Sequence, residues 1–280
     1  MMKSSAKNMI YYFFGALVLS LAGIALRTYA LFNSFDRDIG YYATDAILPD
    51  VFHILCVIVC VLALAFVLVL PKNKDHEYIP CRSVGAFGKV GSVFALVGTA
   101  TYAVYSLISL SDDMPVAFGP VAQSSVLSTV SLFVMIFGVL AVIYFLLVFS
   151  GKTEKNDNHA LFGYCDILFL LMVLAKSYFD FHTTMNSPNK LLTQTTLMLF
   201  MLYMLCELRF SLGISVPRLY SGLSLAVIYF MLVSSVPGII AFGAGILNKV
   251  EYLLCDFVLL TYAVYACARF AEFALAQKKN

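Results

Sequence analysis

The 280-residue chain is 61% hydrophobic and only 12% charged, with a formal net charge of +2 and a mean hydropathy of +0.90. An ordinary soluble domain is nearer to half apolar and a quarter charged, so most of this excess must face lipid or other membrane helices. Composition thus excludes a soluble protein, and the lack of alternating polarity over short segments excludes a membrane β-barrel.

Apolar runs of about 20 residues, each long enough to cross roughly 30 Å of hydrocarbon as a helix, recur along the chain. They predict spans over 9–31, 47–70, 87–110, 121–149, 161–181, 191–210, 219–247 and 252–274. The expected fold class is all-α: a polytopic bundle of eight transmembrane helices in four hairpins, forming one integral membrane domain over 1–280 with no soluble domain.

The first span follows "MMKSSAKNMIYYFFG", which has the charged start of a signal sequence. Its apolar stretch is long and no small-residue cleavage motif follows, so it reads as an uncleaved span ending near Arg27. The second opens with "LPDVFHILCVIVC", whose Asp50, His53, Cys56 and Cys60 fall on one helical stripe. That stripe reads as the wall of a polar cavity, with plain packing and a metal site as alternatives. His53 and Cys56, joined by His182 from elsewhere, are the candidate ligands. Cys60 lies about 10 Å along the axis from His53, too far for both to hold one ion. No metal or other cofactor is expected.

The third span carries a small-residue stripe, Gly88, Gly91, Ser92, Ala95, Gly98 and Thr99, suited to close approach of another helix. Its outer half is rich in hydroxyls, as are "QSSVLSTVS" (123–131) in the fourth span and "TQTT" (193–196) in the sixth. The fifth ends with Lys176 and Asp180. The seventh contains "SSVPGIIAFGAG", where Pro237 removes a backbone hydrogen bond and Gly238 loosens the chain, predicting a kink, a stop or a gating hinge. The eighth carries Asp256, too short to reach the interface and therefore in need of a partner or water. Polarity concentrated at one end of the spans predicts a wet vestibule there. The other half reads as dry and sealed, with Asp166, Glu207, Arg209, Arg269 and Glu272 as boundary charges.

Lys3, Lys7, Lys72, Lys74, Arg82, Lys89, Lys152, Lys155, Arg209, Arg218, Arg269, Lys278 and Lys279 fall on one side, against Arg27, Arg37, Lys176, Lys190 and Lys249 on the other. The asymmetry places both termini in the cytoplasm and the vestibule outside, in a bacterial-type plasma membrane. The seven cysteines all lie in spans or, for Cys81, in a cytoplasmic loop, which argues against a disulfide framework. "RTYALF" and "KSYFDF" end the first and fifth spans, and "CELRF" and "CARF" the sixth and eighth. They hint at an internal repeat with halves 1–150 and 160–280.

No phosphate-binding loop, H-E-x-x-H or G-x-S-x-G occurs, which removes common signatures of an ATPase or hydrolase. The leading expectation is a small-solute binding or transport protein, or the membrane subunit of a transport complex. Arg27, Asp50, His53, Lys176, Asp180 and Asp256 would bind the solute, and Pro237 and Gly238 would gate access. The alternatives are a non-catalytic scaffold or sensor and an intramembrane metal-dependent hydrolase built on Asp50, His53, Asp180 and His182. Expected partners are the lipid bilayer, a small solute and a membrane or cytoplasmic subunit. The basic loops reflect topology, so no nucleic acid is expected.

Overall fold

The computed structural model describes residues 2–36, 40–69, 84–112, 121–152, 158–179, 187–214 and 216–279. Eight long helices carry the described chain: α1 (Met2–Asn33), α2 (Ile47–Val69), α3 (Ala86–Asp112), α4 (Val121–Phe149), α5 (His159–Phe179), α6 (Pro188–Ser211), α7 (Pro217–Gly243) and α8 (Val250–Lys279). Each contains a window long and apolar enough to span a bilayer, from Met9–Asn33 in α1 to Val250–Leu275 in α8. An even number of crossings puts both termini at one end of the bundle, here called the terminal face, and Arg27, the start of α2 and the start of α6 at the opposite, far face.

Packing departs from a row of hairpins. Helices α3 to α8 form a closed ring in which each contacts the next and α8 returns to α3. The α1–α2 hairpin lies outside it, α1 against α7 and α8, and α2 against α7. Burial follows: 72% of the α7 span window is buried, against 17% for α1 and for α2. The ring interior is a column of aromatic rings. Phe210, Tyr220, Tyr203, Phe200 and Tyr262 stack in turn at centroid separations of 4.6 to 5.5 Å. Such offset stacking supplies dispersion and quadrupole attraction where lipid offers no hydrophobic drive for helix association.

The small-residue stripe of α3 meets α8. A methyl group at Gly91 would press on Ala268 and Tyr265, and one at Gly98 on Thr261, so absent side chains let the two backbones close. At the terminal face Glu272 accepts a hydrogen bond from the Gly88 backbone N–H at 2.7 Å, capping the first turn of α3.

Helix α7 continues as helix through Pro237 to Gly243, so the expected stop at the proline does not occur. It ends instead at a left-handed Gly245 (φ 71°), with Gly245 N–H donating to Phe242 O and Ile246 N–H to Ala241 O. This paired closure satisfies the last carbonyls, and Ile246 folds back onto Ala241. A two-stranded hairpin, β1 (Phe35–Asp36) with β2 (Tyr41–Tyr42), follows α1, with Phe35 opposite Tyr42.

Candidate functional site

Two polar constellations stand out, one at the far face and one buried toward the terminal face.

The first is a partly open cavity of about 360 Å³ between α1, α2, α6, α7 and β2. Phe52, Val57, Pro188, Leu191, Leu192 and Phe230 give it apolar walls, and Arg27, Tyr42, His53, Cys56, Asn189 and Thr195 its polar points. Arg27 is 2% exposed. Its Nη1 donates to the carbonyl oxygens of Val233 and Ser234, both at 2.6 Å, and its Nη2 to Asn189 Oδ1 at 3.1 Å. The first of these carbonyls is the one that the proline orphans. Val233 O would accept from residue 237 in a regular helix, and Pro237 has no N–H to give. The guanidinium therefore replaces a missing backbone donor and latches α1 to α7. The Asp256 carboxylate presses on the same place, since a methyl group at Gly238 would collide with it, and it lies within electrostatic reach of Arg27. Tyr42 also hydrogen-bonds Arg27. Burial pushes its phenol above the ordinary tyrosine range, and the neighbouring guanidinium offsets part of that rise.

The opening stripe of α2 divides. Asp50 is exposed in the first turn, where a carboxylate complements the helix dipole, and does not line the cavity. His53 and Cys56 do line it, and Cys56 Sγ lies 3.7 Å from the Tyr229 hydroxyl. Cys60 is exposed. Among the described residues no three His, Cys, Asp or Glu side chains converge as a metal site. Asp180 and His182 lie outside the described residues.

Lys176 sits elsewhere, 2% exposed among α3, α5 and α8. Its Nζ is 3.4 Å from Glu251 Oε1, 3.4 Å from Ser109 Oγ and 5.3 Å from the Tyr105 ring centroid. The structure thus groups Arg27 with His53 and Cys56, sets Asp256 behind the Pro237–Gly238 segment, and holds Lys176 on other partners.

Many hydroxyls that suggested a vestibule bond their own helix. Thr99, Thr101, Thr196 and Ser235 each donate to the carbonyl four residues back, at 2.6 to 2.8 Å. A hydroxyl satisfied in this way needs no water, so polarity of that kind does not mark a wet surface.

The second constellation was missed by sequence reasoning: Asp166, Glu207 and Arg269, expected as boundary charges, are buried, whereas Arg209 is exposed. Asp166 is 0% exposed, Glu207 1% and Arg269 3%. Glu207 Oε1 accepts from Arg269 Nε and from the Tyr265 hydroxyl, each at 2.7 Å. Arg269 Nη1 reaches Glu272 Oε2 at 2.9 Å. The Tyr262 hydroxyl lies 2.8 Å from Asp166 Oδ1 and 2.7 Å from Thr99 Oγ1. Asp166 Oδ2 and Glu207 Oε2 are buried with no hydrogen-bond partner. One signal was available: Tyr262, Tyr265, Arg269 and Glu272, at i, i+3, i+7 and i+10, make one polar face along α8.

The chain matches no family model, no curated protein and no solved structure.

Proposed function

We propose that this multi-pass membrane protein binds a small amphipathic solute carrying an anionic or strongly hydrogen-bond-accepting head, and that binding is read through α7. One observation carries the reading. The cavity has apolar walls and a buried guanidinium whose described hydrogen-bond partners, two carbonyls, an amide oxygen and a phenol, are all neutral, while the Asp256 carboxylate acts on it only through space. A guanidinium keeps its charge at any physiological pH and favours planar oxyanions, so a carboxylate-like head would supply the directly hydrogen-bonded anion that none of these partners provides. The volume suits a small molecule rather than a macromolecule.

The same contacts supply a gate. A head group that draws Arg27 toward the cavity weakens its bonds to Val233 and Ser234 and leaves α7 free to bend at Pro237, where the helical ladder is already open. The excess of Lys and Arg on the terminal side supports placing both termini in the cytoplasm, with the cavity facing outward. Solute uptake or sensing from outside follows.

The test is binding of short-chain fatty carboxylates to the purified protein, followed by calorimetry. Thr195→Phe fills the cavity without touching the latch and is expected to abolish binding. Arg27→Gln is expected to remove the preference for a carboxylate over the matching alcohol. Equal affinity for acid and alcohol in the wild type would remove the guanidinium from the recognition and sink the proposal.

A further inference from the structure

The hydroxyl chain at the ring centre poses a counting problem. Four oxygens follow one another: the Ala95 carbonyl, Thr99 Oγ1 at 2.8 Å, Tyr262 Oη at 2.7 Å beyond it, and Asp166 Oδ1 at 2.8 Å beyond that. Each separation is that of a hydrogen bond, and each hydrogen bond needs one proton between its oxygens. The carbonyl brings none, and threonine and tyrosine bring one each. With Asp166 ionised, Tyr262 donates to the carboxylate, and Thr99 has one proton for two acceptors, the Ala95 carbonyl and the Tyr262 hydroxyl, so one of the three contacts stays empty. Three contacts need three protons.

We propose that Asp166 is a proton-binding site, held as the neutral acid in this packed state, with its O–H donating to Tyr262, Tyr262 to Thr99, and Thr99 to the Ala95 carbonyl. The chain then runs in one direction with every link filled and ties α5, α8 and α3 together across the ring. Asp166 Oδ2 is left as a dry carbonyl oxygen, far less costly than half of an unsolvated carboxylate.

The surroundings agree. Around Asp166 stand Tyr262 of α8, Glu207 of α6, Tyr144 of α4, Thr99 of α3 and, on its own helix, Cys165. None of these is a cation. The nearby cation, Arg269, is already divided between Glu207 and Glu272. An ionised Asp166 would put a second negative charge beside Glu207 without a counter-charge of its own. The proton comes from solvent and returns to it when the ring helices part. The one bond made or broken is the carboxyl O–H. Protonation thus favours the packed ring and deprotonation its loosening, which gives the bundle a proton-sensitive element separate from the far-face cavity.

The experiment is infrared spectroscopy of the whole protein in lipid nanodiscs at mildly acidic pH, about 6, where free carboxyl groups are already ionised. The wild type is expected to show a carboxylic-acid C=O component that Asp166→Asn removes and that persists in Asp256→Asn, the buried Asp256 giving a separate component of its own. Tyr262→Phe, which keeps the ring and removes only the acceptor, is expected to shift that band, and it decides the matter if Asp166→Asn does not fold. Thermal melting adds an independent arm. A proton bound when folded and lost when unfolded makes stability fall as pH rises, so the melting temperature should fall with pH more steeply in the wild type than in Asp166→Asn. Spectra that are the same in wild type and Asp166→Asn, a band indifferent to Tyr262→Phe, or parallel melting profiles would overturn the proposal.

Discussion

Arg27 Nη1 stands 2.6 Å from the carbonyl oxygen of Val233, the oxygen that Pro237 deprives of its helical donor. A side chain on α1 thereby completes the backbone of α7, the most buried helix of the bundle. Charged hydrogen bonds of this kind contribute about 1.5–3 kcal/mol each. Arg27→Gln should therefore destabilise the protein by a few kcal/mol. In a Pro237→Ala background residue 237 has an N–H again, so the loss should shrink. Chemical unfolding of the four proteins of this cycle in detergent measures the coupling, expected at about 1–2 kcal/mol. Simple additivity would mean that the latch and the proline are unrelated.

Gly238 and Asp256 form a second pair at the same point. Any methyl group at 238 runs into the Asp256 carboxylate. Gly238→Ala should cost about 1–3 kcal/mol as an overpacked contact. Adding Asp256→Ala should return part of that stability by making room, whereas two independent sites would lose stability twice. Melting temperatures of the single and double variants distinguish the two cases.

The spans were legible because the membrane demands long apolar runs, and all eight expected runs form long helices. Side-chain surroundings were less legible, because a membrane helix is apolar on its lipid face and on its packed face alike. Arg27 and Lys176, each near the end of its span, could equally well have snorkelled to the interface; their burial depends on Val233 and Asn189 in one case and Glu251 in the other, each remote in sequence. Asp166, Glu207 and Arg269 misled for the same reason. Nearness to a helix end looked like exposure, yet the closed ring places their side chains inside. The hydroxyls misled in the opposite direction, since Thr99 and Ser235 can bond their own helix and leave no mark in the sequence pattern.

The Glu207–Arg269 pair should behave as a buried salt bridge whose members cannot be removed singly. Arg269→Ala strands the carboxylate of Glu207 in a dry core, an expected loss of about 3–5 kcal/mol. Arg269→Lys should not restore it, because Nε and Nη1 of the arginine serve two different carboxylates through a rigid fork. Glu272→Gln should cost much less, since that carboxylate is 14% exposed and water can take over part of its role. Equal losses for Glu207→Gln and Glu272→Gln in thermal melts would show that burial does not set the strength of these contacts.

Close approach of α3 to α8 gives a last expectation. Gly98 faces Thr261, with no room for even one methyl group between them, and Thr261 spends its hydroxyl on the Val258 carbonyl of its own helix. Gly98→Val should push the two helices apart. Thr99 lies one residue further along α3, so the same displacement stretches its 2.7 Å contact with Tyr262. The variant should therefore lose stability by about 1–3 kcal/mol through overpacking and also change the hydrogen-bonded state of Tyr262. Ultraviolet resonance Raman of the tyrosines reports that state directly. A Gly98→Val protein with lowered stability and an unchanged tyrosine signature would show that the helix contact and the hydroxyl chain are separate features of the ring.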